Sequence, residues 1–135
     1  MDNPKTFIYK KIEVVPYRVD LHLLYCNEDR FRKKIISLFG NIGGLNDEWF
    51  SDVGHLAGFH TIVEDKASRD YIIWIRPVKR KNSELFATIS HETLHFVFKM
   101  LNHTGMKLCE ESEEAYTYLH EHITSEIVHA IFRRK

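Results

Sequence analysis

The sequence predicts an α+β domain, and three observations lead there. Two runs rich in β-branched and aromatic residues open the chain, a second pair of extended runs follows in its middle, and two long apolar-striped helical segments close it. The element order, strands, helix, hairpin, helix, helix, is that of one compact α+β unit. No internal repeat, low-complexity tract or linker divides residues 1–135, so one domain is expected.

Taken in order, residues 1–5 are polar and read as loose. Residues 7–15 form a strand broken by Pro16. In residues 17–25, Tyr17, Val19, Leu21, Leu23 and Tyr25 alternate with Arg18, Asp20 and His22, the period of a half-buried strand. That period assigns His22 to the solvent side. Asn27 caps a helix over residues 28–39, with Phe31, Ile35, Leu38 and Phe39 inward and Gly40 as its stop. Residues 41–52 are a connection, with one helical turn expected around Trp49. Residues 53–63, interrupted by Gly54 and Gly58, and residues 71–78 are the arms of a hairpin turned by residues 64–70.

A basic loop then feeds a helix capped by Asn82 or Ser83, with Glu84 suited to its positive end and Gly105 as its stop. The last helix spans about residues 112–132. Its core face carries Ala115 or Tyr116, then Leu119, Ile123, Ile127 and Ile131.

Composition narrows the function. The 19 basic and 19 acidic residues cancel, and no Lys/Arg stripe is interleaved with exposed aromatics, so a nucleic-acid partner is not expected. Cys26 and Cys109 cannot make a CxxC knuckle; both read as free core thiols, consistent with a reduced, cytoplasmic setting. No secretory apolar region or membrane-spanning run is present, so no membrane association is expected.

The chemistry centres on His91-Glu92-Thr93-Leu94-His95. Helical residues four apart lie on one face, so His91 and His95 can offer two imidazoles to one ion from a single rigid element. Glu92, offset by about 100°, suits a base acting on water better than a third ligand. With nine histidines and twelve glutamates, HExxH can arise by chance, and its surroundings decide. Leu85, Phe86, Ile89, Leu94, Phe96, Val97, Phe98, Met100 and Leu101 make this the most apolar helix, apolar nearly all round. The two histidines and Glu92 are therefore expected to be buried and in need of a partner such as a metal.

A catalytic zinc takes three protein ligands and water. Among Glu110, Glu111, Glu113 and Glu114, helix spacing places Glu114 with Tyr118 and His122, and Glu113 with Tyr116 and His120. Glu114 is preferred and Glu113 comes second. A carboxylate in a first helical turn is also favoured by the helix dipole with no metal at all.

These residues carry a resemblance. HExxH followed by a helix with Glu-xxx-Tyr resembles the gluzincin type of zincin metallopeptidase. Residues 89–95 (Ile-Ser-His-Glu-Thr-Leu-His) and 113–119 (Glu-Glu-Ala-Tyr-Thr-Tyr-Leu) are similar to small metallopeptidases carried by phages and prophages. The resemblance implies a minimal zincin-like domain, with a small antiparallel or mixed sheet packed on the HExxH helix and a C-terminal helix. It implies one zinc held by His91, His95 and Glu114, with Glu92 as general base. Its specific part covers residues 85–122, and the chain is too short for the second lobe that walls the cleft of larger zincins.

The expected function is therefore a zinc-dependent hydrolase, a peptidase acting on peptide or protein. Tyr118 is the candidate oxyanion donor, ahead of His122 and then His60, and the strand at residues 53–63 could pair with an extended peptide. His55, His103, His120 and His129 are expected at the surface or the edge of the core. The alternatives are a catalytically idle zinc-binding zincin serving as a structural or adaptor protein in a phage-like assembly, and a metal-free helical interaction module.

Overall fold

The structure, a computed structural model, describes residues 5–40, 57–64 and 69–133. Its elements are β1 (Phe7–Val14), β2 (Val19–Cys26), α1 (Glu28–Phe39), β3 (Gly58–Glu64), β4 (Arg69–Ile75), α2 (Ser83–His103) and α3 (Glu113–Phe132). The expected turn around Trp49, the first part of the 53–63 run with His55, and residues 65–68 lie outside the described residues. The α+β class holds. A four-stranded mixed sheet in the order β1-β2-β4-β3 is antiparallel at both outer pairs and parallel between β2 and β4. β3 and β4 pair antiparallel, as expected of a hairpin, and among the described residues β3 is the sheet's outer strand on that side.

Alternation within each strand divides the core in two. On one face Leu21, Leu23, Tyr25, Tyr71, Ile73 and Ile75 pack with α2 and α3. On the other, Leu24, Cys26, Ile72 and Trp74 pack with Phe31 and Ile35 of α1, where the Phe31 and Trp74 rings stack 4.5 Å apart. The sheet is thus sandwiched between α1 and an α2–α3 layer. α1 begins where Asn27 accepts from the Arg30 amide, and it ends at Gly40, whose φ is 73°. A side-chain cap starts the helix, and a left-handed residue suited to glycine stops it. Among the described residues, no helix is long and apolar enough to cross a membrane.

Two expectations need correction. His22 is 4% exposed rather than on the surface, because α1 covers the face to which alternation assigned it. Tyr9 donates to His22 Nδ1 at 2.8 Å, and His22 Nε2 donates to Asp70 Oδ1 at 2.9 Å. Burial, then the Asp20 and Asp70 carboxylates, raises the Tyr9 pKa above its usual value, which keeps that hydroxyl protonated to donate. The chain of contacts ties β1, β2 and β4 together on one face. The second correction concerns the thiols: Cys26 is buried, but Cys109 is exposed in the connection before α3.

Replacing His22 with Ala removes both hydrogen bonds from a covered layer. Such a loss costs about 1–3 kcal/mol. Urea unfolding should show that drop; an unchanged midpoint would mean that the Tyr9–His22–Asp70 contacts add nothing to stability.

Candidate functional site

The site starts from how α2 is rotated. Asn82 Oδ1 accepts from the Glu84 and Leu85 amides at 3.1 and 3.3 Å. The helix ends at Thr104 and Gly105, the latter at φ 88°. Both ends therefore follow ordinary capping chemistry. Between these caps Leu85, Ile89, Thr93, Phe96, Val97 and Met100 form the stripe that faces the core. At about 100° per residue, Glu92 falls on the edge of that stripe, while His91 and His95 fall nearly opposite its centre. Glu92 is accordingly 6% exposed, and both histidines are exposed. The expectation that all three are buried fails for the histidines, because the helix is covered on one side only.

Glu92 is received by β3. A Cβ built on Gly58 would lie 2.9 Å from Thr88 Cγ2 and 3.0 Å from Glu92 Cγ. The absence of a side chain there lets α2 come close. Two residues further along the same face, His60 Nδ1 meets Glu92 Oε1 at 2.8 Å. The other carboxylate oxygen lies 3.9 Å from His91 Nε2. Lys99 Nζ, two turns after Glu92, lies 3.0 Å from His60 Nε2. A lysine ammonium only donates, so Nε2 accepts and Nδ1 carries the proton given to Glu92.

The three imidazoles touch. His60 stacks on His95 with centroids 4.2 Å apart, and His95 meets His91 edge to face at 4.8 Å. Although His95 as a residue is exposed, its ring is partly desolvated by this packing. That desolvation, followed by the neighbouring His60 and His91 and, least, Lys99, lowers its pKa below the ordinary histidine value; Glu92 opposes the shift.

On the other side of the histidines, a cleft of about 760 Å³ opens between α2 and α3. His91, Leu94, His95 and Phe98 line its α2 wall; Leu108, Glu113, Tyr116, Thr117 and His120 line the other. Leu94, Phe98 and Leu108 are each about half exposed, which leaves an apolar surface beside the two imidazoles. His120 Nε2 contacts the Ser90 carbonyl at 3.2 Å, and the Tyr116 hydroxyl donates to the Met106 carbonyl at 2.6 Å, so both walls are anchored.

The expected downstream residues part company here. Tyr116, Leu119, Ile123, Ile127 and Ile131 are the buried stripe of α3, as read from the sequence with Tyr116 rather than Ala115 at its start. This rotation carries Glu113 into the cleft with Tyr116, Thr117 and His120. By the helical repeat it carries Glu114 and Tyr118 to the side away from the stripe. Glu113, Glu114 and Tyr118 are all exposed, Tyr118 at 67%, but neither Glu114 nor Tyr118 lines the cleft. Glu114 and Tyr118 are thus not brought to His91 and His95, whereas Glu113, the second choice, is. Among the described residues no three His, Cys, Asp or Glu side chains are arranged so that they could hold a metal ion, although the three imidazoles and Glu92 lie close together. The donor chemistry nevertheless suits zinc: two imidazoles one turn apart on a single helix, a buried carboxylate beside them, and Glu113 on the facing wall. Among the described residues Glu113 makes no hydrogen bond or ion pair that would hold it elsewhere.

His60, Lys99 and Gly58 are the residues that the sequence reading missed or ranked low. A glycine interrupting a strand is a sign of close backbone approach, and Gly58-Phe59-His60 places a histidine on the same face two residues later. No protein-family model, curated protein or solved structure matches this chain.

Gly58→Ala should force α2 away from β3, since neither Thr88 Cγ2 nor Glu92 Cγ is the far end of a flexible chain. Crowding of this kind costs about 1–3 kcal/mol. Chemical denaturation measures it, and a variant as stable as wild type would show that the helix has room to spare.

Proposed function

We propose that this chain is a zinc-dependent hydrolase of zincin-like architecture, acting on peptide bonds. The observation that carries the reading is the split of the HExxH segment. Glu92 is buried and held through Oε1 by His60, and the two imidazoles beside it are exposed, one turn apart, at the mouth of an apolar cleft. A buried carboxylate next to two exposed donors suits a base beside a metal.

In this reading His91 and His95 hold the ion and Glu113 of α3 supplies the third ligand, in place of Glu114. Zinc held there contributes Lewis acidity, acidifying water and polarising a carbonyl. Glu92 Oε2, on the side of His91 and away from His60, takes the proton of the attacking water and passes it to the leaving amine. Tyr118 is dropped as the oxyanion donor because it faces away.

Substrate binding follows from the same elements. Among the described residues β3 is the outer strand of the sheet and carries His60 on its α2-facing side, so an extended peptide added to its edge would pass the imidazoles. The apolar surface of Leu94, Phe98 and Leu108 supports a second reading, in which a zincin-like domain binds zinc without turnover and docks a partner there.

Elemental analysis of protein purified without chelator should find about one zinc per chain. His95→Ala should lose it, Glu113→Ala should weaken it about 10–100-fold, and Glu114→Ala should leave it unchanged. Equal zinc in the wild type and Glu113→Ala, with a deficit in Glu114→Ala, would return the third ligand to Glu114. No zinc in any form would remove the reading.

Glu92→Gln separates the hydrolase from the idle zincin. The variant should keep its zinc and lose turnover of a casein or mixed-peptide substrate by about 10²–10⁴-fold, the scale of general acid–base catalysis. Equal turnover would remove Glu92 as the base.

A further inference from the structure

We infer that His60 is a positioning residue for Glu92, with Lys99 favouring the tautomer it needs; this rests on the hydrolase reading above. Glu92 has two carboxylate oxygens with different surroundings. Oε1 accepts from His60 Nδ1 at 2.8 Å, and Oε2 is left toward His91. A carboxylate on a flexible two-carbon stem is a poor base if it rotates freely, because proton transfer needs its oxygen at hydrogen-bond distance from water in one orientation. The hydrogen bond from His60 removes that freedom and leaves one oxygen for the chemistry.

The arrangement needs His60 protonated at Nδ1. In a neutral imidazole only one nitrogen bears hydrogen, so the contacts at both nitrogens fix the tautomer: Glu92 Oε1 calls for a donor at Nδ1, and a donor at Nε2 leaves that nitrogen to accept. Lys99 Nζ at 3.0 Å makes Nε2 the acceptor. Lys99 thus acts through His60 on Glu92, along a chain that runs from α2 to β3 and back to α2. The stacking of His60 on His95 at 4.2 Å fixes the plane of the ring, and the missing side chain at Gly58 lets the carboxylate reach it. Imidazole is the suitable connector here: it is rigid, half-buried and able to accept on one nitrogen while donating on the other.

Two measurements test this, one of them independent of activity. Two-bond proton–nitrogen correlation spectra of the wild type near pH 8 should show His60 as the Nδ1–H tautomer, and Lys99→Met should lower the share of that tautomer. A wild type already in the Nε2–H form would overturn the proposal whatever the enzyme does. Turnover of casein by zinc-loaded protein is the second. His60→Ala should keep its zinc and lower kcat about ten-fold or more with KM within about two-fold. His60→Asn, whose amide nitrogen takes the place of Nδ1, should recover most of that loss, and His60→Gln, which places its amide near Nε2, should not. Lys99→Met should lower kcat alone and add nothing in the His60→Ala background. Loss of zinc in His60→Ala would make it a ligand and overturn the positioning role. An active wild type matched by His60→Ala would overturn that role alone. A zinc-loaded wild type that hydrolyses nothing would overturn the hydrolase reading and this role with it.

Discussion

The burial of one carboxylate between a helix and a strand governs this molecule. Taking Glu92 out of water costs free energy unless a partner meets it, and a single helix cannot supply that partner at the right distance. β3 does so with two successive inward positions, Gly58 giving space and His60 giving a donor at 2.8 Å. The consequence is geometric. Once Glu92 points at β3, the helical repeat turns His91 and His95 outward, and the exposed pair beside a buried acid is no longer an independent feature.

That contact requires β3 to stay in place, and a strand that among the described residues has a neighbour on one side only is weakly held by itself. Its support comes through β4, whose Tyr71, Ile73 and Ile75 are buried under α2 and whose Ile72 and Trp74 are buried under α1. The parallel pairing of β2 with β4 is covered on both faces, as parallel pairs generally are. Trp74 Nε1 donates to the Cys26 carbonyl at 2.8 Å, and the Tyr9–His22–Asp70 chain spans three strands on the α1 side. These polar contacts lie on the face away from Glu92, so they can stiffen the sheet without competing for the groups of the site.

What could be read from the sequence was what depends on one element at a time. The ends of α1 and α2 follow from Asn27, Gly40, Asn82 and Gly105, and the core stripe of α3 follows from the spacing of Leu119, Ile123, Ile127 and Ile131. The errors fall where two elements meet. His22 looked solvated because alternation assumes that one face of a strand is wet, and α1 covers it. Glu114 was preferred over Glu113 although the two differ by only one helical step, and it is Glu113 that lines the cleft with His91 and His95, because of which side of α3 faces α2. His60 was placed low because nothing in its own strand reveals that a glutamate thirty-two residues later will be pressed against it. The interruption at Gly58 was the available sign, since a glycine inside a strand commonly marks close approach by a neighbour.

The choice between Glu113 and Glu114 also bears on what kind of site this can be. Two imidazoles on α2 alone would make a site that depends on one helix. A third donor on α3 makes it depend on how α2 and α3 are held together, and the structure fastens that packing along its length. His120 contacts the Ser90 carbonyl in the middle, the Tyr116 hydroxyl binds the Met106 carbonyl at the start of α3, and Lys81 Nζ binds the Ile131 carbonyl at its end. Ser112, at the N-cap of α3, gives its hydroxyl to the Lys107 carbonyl and accepts from the Cys109 amide, so the connection just before Glu113 is closed on itself. Glu113 is therefore presented from a fixed first turn while its side chain keeps its freedom. On the proposed reading, a flexible carboxylate on a fixed backbone opposite two imidazoles on a rigid helix would suit a third ligand, because only the last few torsions would have to order around an ion.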